Sequence, residues 1–159
     1  MTDVLTLEQR KYCMSKIRGK NTKPELLIRK GLFARGFRFR LHCKNLAGKP
    51  DLVFPKYKSV ILINGCFWHG HECLLFKWPS SRKEFWKKKI TRNREKDVEN
   101  LKALKRSKWR VLTIWECALK GKSRLLLKDV IEETASWLVS NKKHHLVEGY
   151  RKNKKTIAK

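Results

Sequence analysis

Apolar positions recur at helical spacing in residues 21–37, NTKPELLIRKGLFARGF, where Leu27, Ile28, Leu32 and Phe33 form one stripe. Thr22 is placed to cap that helix. Pro24 and Glu25 suit its first turn, and Gly36 ends it. The pattern then shortens to a period of two in FRFRLHCKN (37–45), which predicts a strand. GKPDLVFPKYKSVILING (48–65) predicts a hairpin, LVF and VILIN around a Pro/Lys turn. The continuous β-branched run VILI predicts a central strand buried on both faces. NGCFWHGHEC (64–73) breaks the pattern as a loop. Helical spacing returns in residues 83–109, with Trp86, Ile90, Val98, Leu101 and Leu104 expected to face inward. WRVLTIWECAL (109–119) predicts a second buried strand, and SRLLLKDVIEETASWLVSN (123–141) an amphipathic last helix. This order predicts one α/β domain, a mixed central sheet flanked by helices, over residues 21–140. Residues 1–20 read as a basic arm or short helix, and 141–159 as a basic, disordered tail.

Composition adds a partner. The chain has 159 residues, 40 Lys+Arg against 14 Asp+Glu, and a formal charge of +26. A field of that size speaks for nucleic acid phosphate, not for a fold. Six Trp and seven Phe are interleaved with the cations, and no Lys/Trp-rich amphipathic helix suggests a membrane surface. No apolar run is long enough to span a bilayer and the start lacks a secretory pattern, so the expected compartment is a bacterial cytoplasm, beside the nucleoid. In a reducing compartment the five cysteines are thiols or metal ligands before they are disulfides.

Cys66, His71 and Cys73 are soft ligands within eight residues. A structural zinc site takes four. Cys117 is the best fourth ligand, because it ends the strand LTIWEC, whose C-terminal end a neighbouring strand can approach. Spacing alone does not choose between His69 and His71. Asp51, at the entry to an apolar strand and beside Lys49, can hold Mg²⁺ against phosphate oxygens. Turn capping is its ordinary alternative, as helix-dipole stabilisation is for Glu25. With His69 as a neutral base, these carboxylates form a phosphodiester-cleaving set.

The ordered blocks NTKPE, GKPDLVF, VILINGCFWHGHEC, FW and WRVLTIWECAL resemble the very short patch repair (Vsr) endonucleases, a branch of the PD-(D/E)xK, restriction-endonuclease-like nucleases. The resemblance covers roughly residues 10–140. It implies nicking of one DNA strand 5′ of the thymine in T:G mismatches left by 5-methylcytosine deamination. It implies Mg²⁺ at Asp51 and at the main chain of Ile63. His69 is implied as the base, with Glu25 near the metal-bound water. Zn²⁺ is implied at Cys66, His71, Cys73 and Cys117, which separates the two histidines. Phe67, Trp68 and Trp86 match aromatics that wedge into the base stack, and Met14 an arm residue entering from the other groove. The chain departs from the wider fold in carrying Ile63 and Asn64 in place of an acid-x-Lys pair. Asn64 stands where some relatives have histidine, near the phosphate.

Three readings compete. The enzyme reading expects a monomer acting on T:G duplex DNA, with other mismatch-repair proteins as possible partners. A zinc-stabilised, non-catalytic DNA-binding module would not need both Asp51 and His69. A ribosomal-type RNA-binding protein would leave Asp51, His69 and Glu25 without a purpose. A nuclease of the same fold with another specificity stays open beside the first.

Overall fold

The computed structural model describes residues 5–151. Its elements, in chain order, are α1 (Leu7–Ser15), α2 (Lys23–Ala34), β1 (Arg40–Leu41), β2 (Leu52–Phe54), β3 (Ser59–Asn64), α3 (Lys83–Arg106), β4 (Arg110–Trp115), α4 (Leu127–Val139) and β5 (His144–Val147). The strands form one mixed sheet in the order β1-β2-β3-β4-β5. β1, β2 and β3 are antiparallel, while β4 runs parallel to β3 and β5 parallel to β4.

Alternation along the central strands supplies both faces of the sheet. Leu52, Phe54, Ile61, Leu112 and Ile114 point to a core closed by Ile28 and Leu32 of α2 and by Val130, Ile131, Trp137 and Leu138 of α4. Val53, Val60 and Val111 point the other way, to Leu104 of α3. The result is helix, sheet, helix, with VILI in the middle strand as its composition requires.

Four expectations change. The strand in 37–45 shrinks to two exposed residues at the sheet edge. Phe33 is 56% exposed, under the Arg38 guanidinium, so the α2 stripe is narrower than its spacing suggests. Val98 is 51% exposed. The inward row of α3 instead runs Trp86, Ile90, Asn93, Asp97, Leu101, Leu104, none of them exposed, with two polar residues at core-facing positions. Finally, the tail expected to be disordered contributes β5, whose Val147 is 2% exposed and pairs with Ile114. Parallel addition to a buried strand satisfied its backbone where sequence composition pointed to solvent. The first part of the arm is the helix α1, closed by a capping box of Thr6 and Gln9.

Topology now positions the chemistry. β3, β4 and β5 are parallel, so the chain leaves all three at the same edge, where crevices form in sheets of this kind. Asn64 pairs with Trp115, which sets Cys66 beside Cys117. β2 is antiparallel to β3, so Asp51, just before β2, arrives at that same edge beside Ile63.

A candidate catalytic cleft and metal centre

One cleft of about 700 Å³ is lined by Glu25, Asp51, Ile63, Asn64, Trp68 and His69, with Arg18, Lys20, Lys44 and Lys49 among its walls. The residues expected to cut a phosphodiester therefore share one groove, and cations border it. Asp51 Oδ2 accepts the Ile63 backbone N–H at 2.7 Å. Burial is the main influence on Asp51 and raises its pKa to about 6. The Ile63 bond opposes this, and the neighbouring Glu25 charge adds to it. Two carboxylates side by side, Glu25 buried and Asp51 half-buried, are a place where a divalent cation is favourable, and their oxygen donors suit Mg²⁺.

Glu25 is 3% exposed and accepts hydrogen bonds through both oxygens. Its carboxylate accepts from the Asn21 backbone N–H at 3.0 Å, the Thr22 hydroxyl at 3.1 Å and the Arg29 guanidinium at 2.9 Å. The cap-and-dipole role expected of a first-turn glutamate is thus real, and it coexists with a place in the cleft. His42, unremarked in the sequence, completes a Glu25–His42–Asp51 group whose ligand atoms lie within 4.8 Å of one another. Arg29 also donates to His42 Nε2 at 2.9 Å, so the guanidinium already fills the space between Glu25 and His42.

His69 sits in the loop after β3, and α3 clamps that loop from the other side. Asn93 donates to the Trp68 carbonyl at 2.8 Å, and Arg94 to the carbonyls of His69 and Gly70. Gly70 has φ +59, and a Cβ there would lie 2.6 Å from Ile90 and 2.7 Å from Arg94, so a side chain would push the loop off the helix. Asp97 Oδ2 lies 2.6 Å from His69 Nδ1. A carboxylate there fixes the tautomer with the proton on Nδ1, and leaves Nε2 as an acceptor. Sequence reading missed Asp97. Its signal was present: a polar residue at helical spacing from Trp86, Ile90 and Leu104.

Two residues further on, His71 turns away from the cleft. Its Nδ1 lies 3.6 Å from Cys66 Sγ and 3.7 Å from Cys117 Sγ. All four ligand atoms of Cys66, His71, Cys73 and Cys117 lie within 4.8 Å of one another. Zn–S and Zn–N bonds of about 2.3 and 2.0 Å at a tetrahedral angle would set sulfur and nitrogen about 3.6 Å apart, so the donor set and its spacing fit zinc. The Cys117 backbone N–H donates to Cys66 Sγ, and the Gly149 N–H to Cys117 Sγ, each at 3.3 Å. The bond from the Cys66 thiol is the main reason that Cys117 is lowered to about 6, and the same bond raises Cys66. Trp115 stacks on the His71 ring at 4.1 Å, and Glu148 Oε2 lies 2.9 Å from His71 Nε2. Glu148 and Gly149 were missed because they follow β5.

Phe67, Trp68 and Trp86 are half-buried and pack on one another, with ring centroids 5.2–5.9 Å apart. Lys89 lies over Trp68 and Trp86. Met14 lies on α1, 45% exposed. No helix among the described residues is long and apolar enough to cross a membrane.

Residues 2–75 match the family model described as DNA mismatch endonuclease Vsr. The chain is 48% identical over 123 residues to the type II nicking enzyme V.NmeAIP of Neisseria meningitidis serogroup A, covering 77% of this chain and 88% of the relative. It is 43% identical over 134 residues to the type II nicking enzyme V.XorIIP of Xanthomonas oryzae, covering 83% and 98%. It is 39% identical over 138 residues to the DNA mismatch endonuclease Vsr of Escherichia coli, covering 87% and 88%. The chain belongs to the Vsr family of DNA mismatch endonucleases.

Proposed function

We propose that this protein is a Mg²⁺-dependent endonuclease that nicks one strand of duplex DNA 5′ of the thymine in a T:G mismatch, the lesion left by deamination of 5-methylcytosine. The observation that carries the reading is the pairing, in one cation-lined cleft, of the half-buried Asp51 carboxylate with a histidine whose Nδ1 is held by Asp97 at 2.6 Å. A DNA-binding module without catalysis has no use for an oriented histidine facing a cleft.

Asp51 and the main chain of Ile63 would hold Mg²⁺, which when bound neutralises charge on the scissile phosphate. His69 Nε2 takes the proton from the attacking water as its oxygen bonds to phosphorus and the P–O3′ bond breaks; the leaving 3′ oxygen takes a proton from solvent, and Asp97 stabilises the imidazolium that results. Glu25 orients water beside Asp51. Asn64 donates a hydrogen bond to a phosphate oxygen. An amide there carries no charge, so binding of the phosphate rests on the lysines and arginines of the cleft walls. Cys66, His71, Cys73 and Cys117 would hold Zn²⁺, which would pin the loop that carries His69, Phe67 and Trp68. Phe67, Trp68 and Trp86 enter the base stack at the mismatch, with Met14 opposing them from the other groove. Insertion is favourable where pairing is already weak.

The protein acts as a monomer, in the cytoplasm, on DNA that other mismatch-repair proteins also handle. Relatives named as nicking enzymes support a single-strand cut. They also favour a second reading, a nuclease of this fold with another sequence context. The deciding experiment is a nicking assay on matched, T:G and other mismatched duplexes, with strand and position mapped. Cutting confined to the thymine strand of T:G supports the proposal; equal cutting of matched duplex sinks it.

A further inference from the structure

We infer that Glu148 and Gly149 form an outer shell for the Cys66/His71/Cys73/Cys117 cluster, so that the C-terminal strand and the metal hold each other in place. This rests on reading the cluster as a metal site. His71 Nδ1 faces two sulfurs, so the proton belongs on Nε2, which faces Glu148 Oε2 at 2.9 Å. A carboxylate in that position fixes the tautomer, aims the ring and raises the basicity of the ligating nitrogen. Trp115, stacked at 4.1 Å and 9°, blocks rotation of the ring.

The chain after β5 is built for this approach. Val147 is anchored opposite Ile114 in the sheet, and the Tyr150 N–H donates to the Ser123 carbonyl at 2.7 Å. Between them, the Gly149 N–H reaches Cys117 Sγ at 3.3 Å. A Cβ at position 149 would lie 2.4 Å from the Cys117 carbonyl oxygen and 2.6 Å from that of Ser123, so the backbone comes as near to the ligand turn as a residue without a side chain permits. Glu148 also pairs with the exposed Arg151, whose Nε lies 2.9 Å from Oε1 and whose Nη2 donates to Oε2 at 3.0 Å. Two residues adjacent in sequence thus address two of the four ligands, one by a carboxylate and one by an amide.

The test uses the full chain loaded with Zn²⁺, or with Co²⁺ as a coloured probe, and follows transfer of metal to a chelator. Glu148→Gln keeps the shape of the side chain and removes its charge. It should release metal about 10–100-fold faster and shift the visible Co²⁺ spectrum. Arg151→Ala, which removes only the surface partner, should release metal within about twofold of the parent. Parent-like retention in Glu148→Gln overturns the inference, and so does equal loosening in both variants, which would mark a mere surface ion pair. A parent chain that binds neither ion stoichiometrically sinks the metal reading itself, a distinct outcome. Hydrogen exchange on the unmutated protein gives an answer independent of any variant's folding. Removing metal should abolish protection at the Gly149 and Tyr150 amides while Val60 and Leu112 stay protected. Unchanged protection at 149 and 150 contradicts the mutual hold.

Discussion

His69 and His71 lie two residues apart in one loop and use the same device. Each has one ring nitrogen on a carboxylate from a distant element, Asp97 of α3 for one and Glu148 after β5 for the other. What differs is the other nitrogen's surroundings. One ring belongs to a cleft open to solvent and walled by cations; the other looks onto two cysteine sulfurs beside a stacked indole. A histidine–carboxylate pair is therefore not itself a catalytic signature. The same pair prepares a base where a proton can arrive and a ligand where a metal can sit. The largest effect expected follows from separating the two. His69→Ala should lower the nicking rate about 10²–10⁴-fold, the usual range for a positioned base, and keep its zinc. His71→Ala should lose zinc and, with it, the ordered loop. Elemental analysis beside the nicking rate checks both. Zinc loss in both variants, with no separate effect on rate, would erase the distinction.

The two sides of the loop also differ in what they do for stability. Metal coordination at the cluster would contribute folding free energy. The cleft does the reverse, because it buries the Asp51 carboxylate beside Glu25. Raising its pKa from 3.8 to about 6 corresponds to about 3 kcal/mol. The sign follows from proton binding. Between about pH 4 and pH 6 the folded chain keeps a proton that the unfolded chain has released. Stability therefore falls as pH rises through that window, and the loss is complete above about pH 6. Asp51→Asn keeps an acceptor for the Ile63 N–H and removes the charge. Without added divalent ion it should unfold later than the parent at pH 8 by up to about 3 kcal/mol, match it near pH 4, and fail to nick. Denaturant midpoints at both pH values measure this. Equal midpoints at pH 8 would mean that Asp51 is not the strained carboxylate its burial indicates.

A smaller effect should come from Asp97, which never touches the reacting atoms. Asp97→Asn can still contact His69 Nδ1, yet it permits the wrong tautomer and does not stabilise the imidazolium. A fall in nicking of about 10–100-fold is expected, with zinc content and binding to duplex DNA unchanged. A drop in rate that merely follows an equal loss of DNA binding would reduce Asp97 to a clamp on the loop, like Asn93 and Arg94.

How legible each side was in sequence follows from the same contrast. Cys66 and Cys73 with a histidine between them, and a strand-ending Cys117, pointed to a candidate metal cluster because few other roles bring those side chains together, while the choice of His71 over His69 came from the resemblance. VILI and WRVLTIW were legible as central strands, because burial on both faces demands continuous apolar runs. Asp51, Glu25 and His69 could be grouped from the residues alone as a phosphodiester-cleaving set, with turn capping as the alternative for Asp51; the resemblance to a known family added the separate roles. Asp97 was hidden by a one-residue slip, since Val98 is the apolar neighbour and so the natural choice for an inward row. Yet the row needs Asn93 and Asp97, whose polar heads meet the loop. Glu148 was hidden differently. HHLV is short and preceded by two lysines, so local composition favours solvent. Its order comes from pairing with β4, contact with a strand more than 30 residues earlier that no local pattern reports.

The smallest effect expected concerns recognition, where the loop's aromatic tip stands apart from both histidines. Phe67, Trp68 and Trp86 pack on one another and not in either core cluster. They are half-buried, so they can both support the loop and meet a base pair. General affinity should come from the Lys/Arg field, through counterion release, and so weaken steeply with salt. Ring insertion instead sets unstacking against ring–base stacking of about 1–3 kcal/mol per contact, and the balance is favourable only at a weakened pair. Trp68→Ala should therefore weaken binding to T:G duplex by about tenfold and hardly alter binding to matched duplex or its salt slope. If the ring mainly supports the loop, the variant will instead melt earlier and bind both duplexes worse, because Trp68 touches Phe67 and Trp86 and its carbonyl is held by Asn93. Thermal midpoints read beside the two affinities separate these cases. An unchanged midpoint with equal losses on both duplexes would remove Trp68 from mismatch recognition and leave the wedge to its neighbours.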